Sequence, residues 1–102
     1  MLIRTLFAAP AGPWADRLAH ALESPDRVLT RCMDEPALWR SLRREDHDSV
    51  LLASEFLGAA PARAIQTVRD LPEHPEVIVL AESEDPAQRA ALLAAGCLAV
   101  LP

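Results

Sequence analysis

The chain has 102 residues, 51% of them hydrophobic, with 10 basic and 15 acidic side chains and a net charge of −5. That length fits one small domain with a core of its own, and the apolar fraction excludes disorder. No apolar run reaches the ~18 residues of a membrane helix, and Met1-Leu2-Ile3-Arg4 followed by Pro10 and Pro13 does not read as a secretory signal.

Five apolar runs punctuate the chain, at residues 2–7, 28–32, 50–53, 77–81 and 97–101. Each is nearly continuous rather than alternating, the pattern of strands buried on both faces of a parallel sheet. Four helical segments separate them. The first, from about 12 to 23, places Trp14, Leu18 and Leu22 at i, i+4, i+8, which predicts that Trp14 faces the sheet. The second starts after Asp34, a good N-cap, with Pro36 in its first turn. It turns Leu38 and Leu42 inward and Arg40, Arg43 and Arg44 outward, and leaves Trp39 one position off the apolar stripe. The third starts near Ala60-Pro61, carries Ala64, Ile65, Val68 and Leu71, and is stopped by Pro72. The fourth is capped by Asp85 or Glu84, has Pro86 at its first position, and ends at Gly96.

Alternation of this kind predicts an α/β fold, a doubly wound parallel sheet with right-handed crossovers, as one domain over 1–102. Four helices normally cover such a sheet two and two, and a fifth is usual with five strands. No residues remain for it, so part of one face, or the edge of the last strand, is expected to lie open.

The acidic balance argues against direct contact with nucleic acid, and the only adjacent basic pair is Arg43-Arg44. No lysine occurs, which removes lysine-dependent chemistry. Cys32 and Cys97 lie in separate apolar runs, with no metal-ligand spacing, and read as reduced core cysteines of a cytoplasmic protein. His20, His47 and His74 are dispersed over a helix and two loops. No Gly-rich phosphate loop is present.

Several stretches resemble the receiver domain of two-component response regulators, over essentially the whole chain. Residues 48–53 (DSVLLA) look like that family's third strand, Leu57-Gly58 like the loop after it, 75–81 (PEVIVLA) like the fourth strand, 85–96 (DPAQRAALLAAG) like the fourth helix, and Val100-Leu101-Pro102 like the fifth strand. The resemblance implies the strand order 2-1-3-4-5, with the fifth helix missing. It also implies where the phosphoryl chemistry would sit, and each position fails. The acidic pair that holds magnesium falls on Ala9 and Pro10, the phospho-accepting aspartate on Ala53, and the Ser/Thr on Ala81; the lysine would follow Pro102. Phosphoryl transfer to a carboxylate needs that carboxylate and hard oxygen ligands for a divalent ion. The resemblance therefore implies a pseudo-receiver, without catalysis and without a cofactor.

Other readings are weaker. Glu55, Glu82, Glu84 and Asp85 form a possible residual cation rim, and Ser54 or Ser83 possible phosphate acceptors. Ala87, Ala90, Ala91, Ala94 and Ala95 give the fourth helix a small-residue surface, with Ala91, Leu92, Leu93 and Leu98 adding apolar area around it. These residues, with Trp39 as a separate anchor, are the expected interface for a second copy or a protein partner. The expected role is that of an N-terminal regulatory module ahead of a downstream effector domain, in signal transduction or transcription regulation. The alternative is a small-molecule site in the crevice at the C-terminal strand ends, emptied by Ala9, Ala53 and Ala81.

Overall fold

The computed structural model describes residues 2–81 and 85–101. Its elements alternate: β1 (Ile3–Ala8), α1 (Pro13–Leu22), β2 (Arg27–Cys32), α2 (Glu35–Arg44), β3 (Ser49–Ala53), a 3-10 turn (Ser54–Leu57), α3 (Pro61–Arg69), β4 (Glu76–Leu80), α4 (Pro86–Ala94) and β5 (Ala99–Leu101). The five strands form one parallel sheet in the order β2-β1-β3-β4-β5. The expected fold class and strand order hold.

Each helix has a proline in its first turn, where the missing N–H costs nothing. Asp34 caps α2 by accepting from the Ala37 N–H at 2.8 Å, and Asp85 caps α4 by accepting from the Ala87 N–H at 3.0 Å. α4 closes through Gly96, whose φ of 113° is open to glycine without strain.

The two faces of the sheet are unequal. On one, α2, α3 and α4 pack over Leu6, Ala8, Val50, Leu52, Val77, Val79 and Val100, with Leu38, Leu42, Ile65, Val68 and Leu92 as the helical contribution. On the other, among the described residues, α1 alone packs, through Ala15 and Ala19 onto Phe7, Ala9, Ala53 and Leu80. The expectation that one face lies open is met. Leu51, Ile78 and Ala99 are only half-buried, and Ile3 and Leu101 are 43% and 45% exposed.

The inward face of α1 corrects the sequence reading. Ala15 and Ala19 are buried, Leu18 and Leu22 flank them, and Trp14 is 49% exposed. Alanines let the helix axis approach the sheet, so the larger residues are displaced to its sides. His47 lies in the loop before β3, as expected, and is buried there at 1% exposure. The turn at Ser54–Leu57 was not anticipated; it buries Phe56 and Leu57 and ends at Gly58, where φ is 71°.

Candidate functional site

The strand order places β2 and β3 on opposite sides of β1, so the connections leaving β1 and β3 diverge. A crevice opens at such a point, at the C-terminal ends of the strands. It has a volume of about 420 Å³ and is lined by the Pro10–Ala15 segment, Ala53, Glu55, Leu80 and Ala81. Three of the four positions singled out in the sequence (Pro10, Ala53 and Ala81) line it. The fourth, Ala9, is buried at 1% exposure, and its N–H bonds the Cys32 carbonyl at 3.0 Å.

The walls are mostly apolar. Ala53 and Ala81 are 3% and 4% exposed, and each presents only a methyl group where a longer side chain would fill the space. The Trp14 ring stands edge-on to Phe7, with centroids 6.5 Å apart and planes at 62°. This contact is worth roughly 0.5–1.5 kcal/mol beyond area burial and fixes the indole at the mouth. Glu55 is exposed on the 3-10 turn and is the one charged residue among the described lining residues.

Glu82, Ser83 and Glu84 lie outside the described residues, so the expected acidic rim and the Ser83 acceptor are not described. Ser54 is half-buried at the head of the 3-10 turn, and Asp85 is exposed at its cap position. Among the described residues no three His, Cys, Asp or Glu side chains cluster as metal ligands would. The histidines stay apart: His20 is 3.4 Å from Glu23 on α1, His74 Nδ1 is 2.9 Å from the Arg69 carbonyl oxygen, and His47 is buried elsewhere. Cys32 and Cys97 are free and buried. Burial, above all, raises both thiol pKa values; a hydrogen bond from Ser41 and the Arg40 charge oppose this at Cys32, while Asp34 and Glu45 add to it.

A second surface lies at the opposite side of the sheet. Ala87, Ala90, Ala91 and Ala94 are all exposed on α4, and Leu93 and Leu98 are 43% and 61% exposed. Leu101, 45% exposed on the edge strand β5, pairs with Leu80 of β4. A groove of about 610 Å³ on the uncovered sheet face is lined by Leu2, Ile3, Leu22, Leu51 and Ile78 together with Thr5, Arg27, Asp48, Ser49 and Glu76, the Thr5–Ser49–Glu76 row lying between Ile3 and the Leu51–Ile78 pair. Trp39 is half-buried against the main core, on a different side from the exposed alanines. Arg40, Arg43 and Arg44 are exposed or near-exposed on the outer side of α2.

No family model matches the chain, and no curated protein matches its sequence. Solved structures do. A response regulator from Thermotoga maritima superposes with a TM-score of 0.80 at 22% identity, over 98% of this chain and 84% of that one. A receiver domain protein (CheY-like) from Methanospirillum hungatei JF-1 gives 0.82 at 14%, over 99% and 81%. A response regulator protein from Burkholderia pseudomallei, solved with a phosphorylated aspartic acid, calcium ion and citrate, gives 0.81 at 15%; this chain is matched over 97% of its length but spans only 58% of that one. At these identities the likeness is one of fold. The chain has the fold of response regulator receiver domains, with alanine at the end of the third strand.

Proposed function

We propose that this chain is a non-phosphorylatable, receiver-like regulatory module that works by binding a protein, either a second copy or a partner. Its setting is signal transduction or transcription regulation, with an effector domain downstream. The observation that carries the reading is the exposed apolar area of α4 and β5, Ala87, Ala90, Ala91 and Ala94 with Leu93, Leu98 and Leu101. Contiguous exposed apolar area beside an edge strand favours association. The fold supports a regulatory role, and the methyl group of Ala53 supports the loss of aspartyl-phosphate chemistry. Trp39, half-buried on α2 as its place beside the apolar stripe implies, stays a separate candidate anchor.

Sedimentation across a concentration series tests the reading. A dimer that Leu98→Glu or Ala91→Arg converts to monomer supports self-association through α4 and β5. A monomer at every concentration turns the reading toward a different protein partner. A dimer indifferent to both substitutions overturns the surface assignment. Beryllofluoride with magnesium is expected to leave the amide signals around Ala53 unmoved; shifts there overturn the loss of phosphorylation.

A further inference from the structure

We propose that the crevice at the ends of β1, β3 and β4 binds a small apolar cation, an amine or quaternary ammonium carried on an aromatic or aliphatic body. The crevice adjoins the surface around β5, since its lining residue Leu80 pairs with Leu101 and the Ala81 N–H bonds the Leu101 carbonyl at 2.8 Å, but the proposal does not rest on the protein-binding reading.

Shape comes first. A volume of about 420 Å³ falls within the ~300–1,000 Å³ of small-molecule sites. Ala15, Ala53 and Ala81 line the space with methyl groups, together with Pro10 and Pro13 of the connection after β1. Nothing in the core closes it: these alanines are already buried at 1–4% exposure, packed from beneath.

The walls then select the ligand. The indole of Trp14 is half-exposed at the mouth and braced by Phe7, so it meets a ligand with little loss of its own freedom. Glu55 supplies a carboxylate, and no arginine is among the described lining residues. Arg31, at the end of β2, is already ion-paired with Asp16 at 2.7 Å, though off the angle of a hydrogen bond. The chain has no lysine to bring in. A phosphate or carboxylate ligand would thus meet a negative charge with no counter-cation. An ammonium group meets an aromatic ring and a carboxylate together, the combination that recognises alkylammonium ions, while its carbon body covers the alanine methyl groups.

The test uses the 102-residue chain and three probes of one shape: 2-phenylethylamine, 2-phenylethanol and phenylacetate, a cation, a neutral and an anion at pH 7. Amide and indole NMR shifts report the site. The amine is expected to give saturable shifts at Gly12, Ala53, Glu55, Ala81 and the Trp14 indole. The alcohol is expected to bind several-fold more weakly, and phenylacetate more weakly again. Glu55→Gln, on an exposed side chain, should bring the amine down to the affinity of the alcohol. Trp14→Ala should weaken the amine by about tenfold. Absence of saturable shifts with the amine overturns the proposal. So does equal binding of amine and phenylacetate, or an amine-to-alcohol ratio that Glu55→Gln leaves unchanged. Shifts confined to Ile3, Leu51 and Ile78 overturn it as well, since they place the probe on the uncovered sheet face. Sedimentation of the same samples keeps this outcome distinct from that of the protein-binding reading.

Discussion

The hydroxyl oxygens of Thr5 and Ser49 lie 2.9 Å apart, sharing one hydrogen bond between β1 and β3. The two residues are partners in the sheet register, and Thr5 is 1% exposed, so its hydroxyl is shut off from water. Ser49→Ala is expected to strand that hydroxyl and cost about 1–2 kcal/mol. Thr5→Val combined with Ser49→Ala removes both groups and should recover most of the loss. Urea unfolding of the two single variants and the double variant measures the coupling; additive effects would show that the pair contributes nothing of its own.

His47 gives the opposite case. Its ring is 1% exposed, and neither nitrogen has a hydrogen-bond partner among the described residues. A buried, unsatisfied polar group costs roughly 1–3 kcal/mol. His47→Leu should therefore raise the urea midpoint, by about 1 kcal/mol in stability once imperfect packing is allowed for. A midpoint lowered by that amount would mean that the imidazole is held by interactions this geometry does not contain.

The chain has neither lysine nor tyrosine, which leaves the two thiols as the only side chains titrating between about pH 8 and 11. Burial raises both thiol pKa values in the folded state. The unfolded chain thus loses these protons first. Their contribution is fully present below the unfolded thiol pKa and is lost as pH rises through the folded one. Stability measured by urea midpoint should be flat from pH 7 to 8 and fall above about pH 9. The double variant Cys32→Ala, Cys97→Ala should lose less over the same interval, whatever its stability at neutral pH.

Asp34 holds the first turn of α2 through a 2.8 Å bond from Ala37 N–H. The residue is exposed, so little packing changes when it is shortened. Asp34→Ala is expected to cost about 1 kcal/mol, and Asp34→Ser to retain most of it. Thermal unfolding of both variants separates the cap from any general effect of removing a charge.

Helix starts were legible because four prolines and two aspartates mark them, and strands because their apolar runs are short and bounded. Orientation was harder. Counting Trp14, Leu18 and Leu22 gives the larger apolar stripe, yet the contact belongs to Ala15 and Ala19, since close approach to a sheet favours small residues that carry little weight in a hydrophobic pattern. His47 sits between Asp46 and Asp48 in a loop, as its sequence implies; no pattern in the sequence marks its burial just before β3, the central strand. Four residues, Ser54–Leu57, are too few to show a helical period. The crevice was legible at the strand ends, because Ala53 and Ala81 are small where the resemblance places larger side chains, and both line it; Ala9, read with them, is buried beneath instead.

The uncovered sheet face ties folding to recognition. Leu51, Ile78 and Leu101 keep in water an area that would otherwise add to the core, so the isolated module starts with a deficit in apolar burial. Any molecule that lies there stabilises the native chain by mass action, by about 2.7 kcal/mol when present at one hundred times its dissociation constant. The melting temperature thereby becomes a readout of occupancy for any molecule that binds that face.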